Sequence, residues 1–371
     1  MRPVLKPALS RIWHDTHVLQ LGRGPGTSYR YRMTAAVRAV IDALDGTRDT
    51  DAVLRYAERI GVARRHTLEL LDRLVADGCL DDEALDASTL AALSPGERAR
   101  LDPDLSSLGL RHGLPGGATR ALEWRRHLAI SVYGLGRVGA HVALRLAACG
   151  VGTIVPLDAA AVRHADTGPG TFRGDEVGAR RQDAVARAIR LLAPSVSTVL
   201  RPRRPGPDLA IVAPGERPPT ELLVELTARG LPHLVVEVCE DRAVLGPLVV
   251  PRRTPCGLCR DLALTERDPF WPRTQAGLAS VDGTTTRPAC DTALAALAAN
   301  HAALHALAFL DGRPPPSVGA VLEFPLPFCL PVRIEVPLHP ECGCVPNDPD
   351  GRAAQGPPGS PAALAALAAP W

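Results

Sequence analysis

The sequence predicts an α/β fold: a mostly parallel sheet with helices on both faces, preceded by a small winged-helix-like α+β module. Three observations predict it. Apolar strand runs alternate with helical patterns from Leu128 to Val238. The loop Gly134-Leu135-Gly136-Arg137-Val138-Gly139 lies between the first of those strands and its helix. The segment before residue 90 carries a period-two hairpin followed by three amphipathic helices. Strand-helix alternation implies parallel strands, because a parallel connection needs a crossover long enough to hold a helix. At 371 residues the chain exceeds what one core usually organises, so a principal domain and a smaller one are expected.

In chain order, His17 to Leu21 and Tyr29 to Arg32 alternate across the Gly22–Gly26 turn and read as a hairpin. Helices are expected over 35–44, 51–60 and 64–76, stopping at Gly46, Gly61 and Gly78. These elements define a winged-helix-like module over 1–90. Residues 91–127 read as a polar connector with one helix near Pro95 to Arg100. The sheet domain spans 128–345, with strands at 128–132, 152–157, 209–212 and 234–238, and helices at 138–148, 182–192 and 220–229. An alanine-rich helix, 291–310, precedes two strand-like runs at 318–324 and 332–336, and 346–371 reads as a Pro/Gly/Ala-rich tail.

The glycine loop gains meaning from its place between an apolar strand and a helix. Gly134 permits the tight turn, Gly136 lets backbone N–H groups approach a phosphate, and Gly139 lets the helix press on the strand. Asp158, ending the next strand, offers a carboxylate to ribose hydroxyls. The domain therefore reads as Rossmann-like and nucleotide-binding.

Composition narrows the chemistry. With 42 basic and 40 acidic residues spread along the chain, there is no large field for nucleic acid or membrane. The N-terminus lacks a signal-peptide core and no uninterrupted apolar run is long enough to span a bilayer, so a cytoplasmic protein is expected. In that compartment nine cysteines favour metal over disulfides. Cys256-Gly-Leu-Cys259 and Cys342-Gly-Cys344 bring four thiolates into two knuckles, the donor set of a closed tetrahedral zinc site whose job is structural. Cys79, Cys149, Cys239, Cys290 and Cys329 read as core residues.

The glycine loop, Asp158, Gly178-Ala179-Arg180-Arg181 before a helix, and paired late cysteines together resemble the ThiF/MoeB superfamily, related to ubiquitin-activating enzymes. The resemblance covers the chain from the connector to Cys344. It implies ATP on the glycine loop, adenylation of a peptide or carrier-protein carboxylate, and a homodimer or pseudo-dimer. The family's Asn-Arg pair after the ribose-binding Asp is absent here, and Arg163 or Arg173 stands nearest to it. Its lysine position falls on Arg181, and Lys6 is the only lysine in the chain. Its magnesium-binding Asp falls on Leu209-Ala210-Ile211-Val212-Ala213-Pro214-Gly215, with Asp208 at the wrong end of that strand.

The whole layout resembles the ThiF-like leader-peptide-binding proteins of azole-forming ribosomal peptide pathways. That resemblance implies a winged-helix module holding the leader of a precursor peptide and a YcaO-type cyclodehydratase as partner. Tyr29, Tyr31, Arg64 and Arg65 are the candidates for lining the leader groove, and both tyrosines also suit the small core. Two functions stay open at this level: a peptide-presenting scaffold and an active ATP-dependent adenylyltransferase. A winged-helix DNA-binding regulator is disfavoured by the missing basic stripe. A nicotinamide dehydrogenase leaves the cysteine knuckles unexplained.

Overall fold

The computed structural model describes residues 1–344 apart from 25, 27, 203, 214–219 and 281–288. The expected tail from Pro346, and Pro214-Gly215, lie outside the described residues. The chain forms two compact units, Met1–Trp124 and Arg125–Trp371.

The first unit opens with β1 (Pro3–Leu5), β2 (Arg11–Trp13), β3 (Val18–Leu21) and β4 (Tyr29–Arg32). Helices α1 (Ala35–Asp42), α2 (Thr50–Arg59) and α3 (Arg64–Ala76) follow. Thr34 and Asp49 cap the first two by accepting from Val37 N and Ala52 N. β5 (Leu80–Asp82) returns to pair antiparallel with β1, while β2-β3-β4 form a separate antiparallel sheet. Leu19, Leu21 and Tyr31 from that sheet meet Val40, Ile41, Val53, Leu71 and Leu74 from the helices in one core.

The stretch 91–127 departs from expectation. After α4 (Glu83–Leu90) it carries α5 (Pro95–His112) and α6 (Gly117–His127). Leu101, Leu108 and Leu122 are buried between them, so this is packed helix and not connector. Polar spacing hid it, because only a few leucines face inward. Lys6 fixes this region to the first strand: its buried ammonium donates to Gly109 O at 2.7 Å and Gly113 O at 2.5 Å, the exposed carbonyl end of α5.

The second unit begins with β6 (Ala129–Tyr133), α7 (Gly139–Ala148), β7 (Thr153–Leu157), α8 (Arg181–Leu192), β8 (Leu209–Val212) and α9 (Thr220–Ala228). β9 (His233–Cys239), β10 (Arg242–Val249), α10 (Gly257–Arg267), α11 (Trp271–Ser280), α12 (Thr292–Leu310), β11 (Ala320–Pro325) and β12 (Val332–Glu335) complete it. The seven strands lie in the order β12-β11-β10-β9-β8-β6-β7. β7, β6, β8 and β9 run parallel, and β10 to β12 extend them antiparallel. β10 was not expected from the sequence because Gly246-Pro247 interrupts its pattern; the ladder absorbs them as a register shift between Leu245 and Leu248.

From β6 the chain moves first to β7 on one side and then to β8 on the other, so the switch point lies at the carboxyl end of β6, where the glycine loop sits. α12 is the one described helix long and apolar enough by length and composition to cross a membrane, with mean hydropathy 1.6, although Asn300, His301 and His305 interrupt its apolar run. Leu294, Ala295, Ala298, Ala299, Ala302, Ala303, Ala306 and Leu310 are buried inside this unit, where small side chains allow close packing against α7, while Leu304 faces outward.

A fully buried ion pair joins the two ends of this unit's helical layer: Arg125 donates to Asp311 through Nε at 2.9 Å and Nη2 at 2.6 Å. Removing one partner strands a buried charge. Asp311→Ala should therefore lower stability by about 3–5 kcal/mol in denaturant titration, whereas the apolar pair Arg125→Met with Asp311→Leu should recover most of that loss.

Candidate functional site

The nucleotide-type pocket grows from the glycine loop. Gly134 has φ 79° and donates its N–H to Leu157 O at 3.0 Å, which turns the chain off β6 beside the end of β7. A Cβ at Gly139 would lie 1.8 Å from Gly134 O, so only glycine lets α7 start this close to the loop. Gly136 faces open space. No side chain caps α7, and its amino end suits an anion.

Asp158 is the second element. Its carboxylate accepts from Leu135 N at 2.8 Å and Ala160 N at 2.9 Å, and from Arg181 Nη1 at 3.1 Å. Arg181, the first residue of α8, also donates to Asp166 through Nε at 3.0 Å and Nη2 at 2.7 Å. Asp166 accepts Arg163 N at 2.8 Å as well, inside a short 3-10 turn. The three side chains are nearly buried. Burial alone would lower the arginine's pKa, but the bonds and charges of Asp166 and Asp158 outweigh it and hold it above its ordinary value. Asp166 escaped sequence reasoning. Its signal was a carboxylate inside the loop that faces the family's lysine position.

The residues present fit a nucleoside's phosphate at the loop but not the apparatus of nucleotidyl transfer. Arg181 lies between the two carboxylates and Arg163 adds a second cation 3.9 Å from Asp166, and three of the Asp158 acceptor positions are already used. Ala213, just after β8, is 1 % exposed and its Cβ sits 3.3 Å from where a Gly139 Cβ would be, so an apolar methyl group packs beside the glycine loop. Asp208 is at the far end, accepting from Ala129 N and paired with Arg204. Arg173 does not join the cluster: it is exposed and paired with Asp175 of its own turn. Lys6 belongs to the first unit and is held by α5.

The four cysteines converge as expected. Cys256 and Cys259 flank the start of α10, Cys342 and Cys344 follow β12, and their Sγ atoms lie within 4.8 Å of one another. Cys256–Cys342 and Cys259–Cys344 are each 3.4 Å apart, near the edge length of about 3.8 Å implied by Zn–S bonds of about 2.3 Å in a tetrahedron. Burial raises the Cys344 thiol, whereas the bonds donated to Cys259 by its neighbours lower that one; four sulfurs gathered this closely can all ionise only with a cation among them. The donor set fits zinc. His339 is not a fifth candidate: Nδ1 accepts Glu341 N at 3.2 Å, which leaves Nε2 to donate to Glu266 of α10 at 3.1 Å. Of the cysteines expected in the core, Cys79 is buried; Cys239 is exposed at the β9–β10 turn, with its thiol raised to about 12 by desolvation and Glu237.

In the first unit, β4 is a sheet edge. Met33 N donates to His17 O, so Tyr31 and Tyr29 turn their main-chain groups toward β3 and Arg30 and Arg32 turn theirs outward. Tyr29 is exposed. Tyr31 is a correction: it is buried, its hydroxyl donates to Asp77 at 2.7 Å, and it belongs to the core, not to a groove wall. Burial and that bond raise its pKa. Arg64 and Arg65 are exposed on α3, 3.6 Å from Asp51 and 3.7 Å from Glu69. A hollow of about 550 Å³ lies past the end of the hairpin, lined by Asp15, His17, Val18, Arg32, Met33, Thr34 and Val37.

The ThiF family model matches residues 117–213. None of the curated proteins compared matches this chain. Among solved structures, Escherichia coli MccB with ATP superposes with TM-score 0.65 at 16% identity, covering 93% of this chain and 99% of that one. The microcin C7 biosynthetic enzyme MccB in complex with N-formylated MccA gives TM-score 0.66 at 15% identity, covering 93% and 99%. PaaA gives 0.66 at 16%, covering 89% and 99%. At these identities the likeness shows a shared fold, and it extends over both units.

Metal analysis of freshly purified protein should find one zinc per chain, and Cys256→Ser should lose the metal and lower thermal stability. Less than about half an equivalent of zinc in the wild type would remove the assignment.

Proposed function

We propose that this chain binds a ribosomally made precursor peptide through its first unit and presents it to a modifying partner, a YcaO-type cyclodehydratase, without itself performing adenylation. The observation that carries this reading is the use made of Arg181: at the lysine position of the ThiF pattern, it neutralises Asp158 and Asp166 instead of waiting for a phosphate. Phosphoryl oxygens arriving at the loop would meet a site with no carboxylate at Ala213 to hold magnesium and no lysine. A nucleotide, if bound, serves structure or regulation.

The leader's place is the open side of β4. Outward N–H and C=O groups of Arg30 and Arg32 accept an incoming strand, which supplies affinity through main-chain bonds, while Tyr29 and the exposed face of α3 with Arg64 and Arg65 select side chains. MccB crystallised with MccA supports this reading as a relative in fold.

MccB crystallised with ATP favours a second reading, an ATP-dependent adenylyltransferase acting on a C-terminal carboxylate. Pyrophosphate exchange separates the two. With the precursor encoded beside this chain's gene as substrate, exchange should stay at background. Exchange well above background that disappears in Asp158→Ala would establish the second reading instead.

Peptide binding has its own readout, fluorescence anisotropy of the labelled leader with the full chain. Arg30→Pro should weaken binding about fivefold, since it deletes an outward N–H worth roughly 1 kcal/mol without breaking the β3–β4 ladder. Arg30→Ala keeps the N–H and should bind nearly as the wild type. Equal affinity for the proline variant would place the leader elsewhere.

A further inference from the structure

We propose that the strand accepted along β4 carries acidic side chains at alternate positions, selected by Arg30 and Arg32. The inference rests on the leader reading above and names what such a leader must contain. Across the three-stranded sheet, Trp13, Leu19 and Tyr31 stand in one line, Ile12, Gln20 and Arg30 in the next, and Val18 stands beside Arg32. The first line packs into the core with the helices. Side chains alternate along a strand, so the other residues form the opposite face of the sheet, which carries the exposed Arg30, Arg32 and Ile12.

Charge is divided between the two halves of this module. Residues 8–34 hold four arginines and one acid, Asp15, whereas 35–90 hold seven arginines and twelve acids. The arginines also differ in company. Arg38, Arg48, Arg64, Arg65 and Arg73 of the helical half each have a carboxylate within 4.0 Å. Among the described residues no carboxylate pairs with Arg30 or Arg32. A neutral partner anchors Arg30 instead: its Nε donates to Gln20 Oε1 at 3.0 Å, an oxygen that also lies 2.9 Å from His14 Nε2. Asp15 is engaged by its own turn, accepting His17 N at 2.6 Å and Val18 N at 2.7 Å.

Both features meet on one strand. Arg30 and Arg32 are the β4 residues whose main-chain groups face outward, so the residues of an added strand that bond to them also stand beside their side chains. Neighbours of this kind lie about 5 Å apart at Cβ, and opposite charges there attract. Two arginines two residues apart therefore select two acids two residues apart, whichever way the added strand runs. The residue between those acids turns to the face of Tyr31 and the helices, where an apolar side chain fits. Charged side chains on an edge also discourage unwanted pairing; a positive pair does so against basic and apolar strands while admitting an acidic one, which is selectivity by repulsion as well as by attraction.

Fluorescence anisotropy of the full chain tests this, with the labelled leader of the precursor encoded beside its gene as the probe. Arg30→Glu with Arg32→Glu should raise the dissociation constant about tenfold, because two cross-strand pairs turn from attraction to repulsion. Arg30→Lys with Arg32→Lys keeps both charges and should stay within about threefold of the wild type. A leader whose acid-x-acid motif is changed to Arg-x-Arg should bind the wild type weakly and recover on the glutamate variant. Raising NaCl from about 50 mM to about 500 mM should weaken the wild-type complex and spare the glutamate variant, since exposed pairs are screened. A leader that binds without any acid-x-acid motif, affinity indifferent to the glutamate changes, or a swapped leader that fails to recover would each overturn this proposal and leave leader binding standing. A leader that does not bind the wild type overturns both. A single-stranded oligonucleotide bound as tightly as the leader would show a general polyanion surface and overturn the selectivity proposed here.

Discussion

The carboxylate of Asp158 holds the central architecture together. It accepts from Leu135 in the glycine loop, from Ala160 beyond β7 and from Arg181 at the head of α8. Three elements that meet at the switch point of the sheet are thus fixed by one side chain. Strand order alone brings β6, β7 and α8 near one another. The acceptor geometry of a carboxylate decides how the loop between them is set.

That arrangement carries a functional consequence. In the Rossmann pattern the acidic residue after the second strand is free to accept hydrogen bonds from ribose hydroxyls. Here a guanidinium with several donors reaches both Asp158 and Asp166, a geometry open to a planar fork and not to an ammonium point charge. Replacing lysine by arginine at this position changes more than the shape of a cation. The arginine's donors are engaged by the two carboxylates, so an anion arriving at this side chain would have to displace existing contacts.

Away from the pocket, the chain manages two sheet edges in different ways. At β4 the outward groups belong to Arg30 and Arg32, beside the exposed Tyr29. At β12 the strand Val332–Glu335 is exposed along its whole length. The cysteine cluster lies close to the second edge, since Cys342 and Cys344 follow β12 and are drawn to α10. A metal there would fix the end of the strand without covering its open side.

Much of this was legible in the sequence because it is local. The glycine spacing, the strand-helix alternation from Leu128 to Val238 and the two cysteine knuckles each depend on neighbours a few residues apart, and the structure places all three as read. The sequence alone did not expose β10, whose Gly246-Pro247 breaks a period-two pattern that only a neighbouring strand can absorb, nor the helices over 91–127, whose inward leucines are too sparse to show a stripe. Tyr31 looked equally fit for groove or core; its side was settled by Asp77, 46 residues away. The role of Arg181 was likewise beyond the sequence. An arginine at that position reads as a phosphate ligand until the fold shows that Asp166 reaches it first, and a hydrogen bond between two loops is decided by where the backbone carries them.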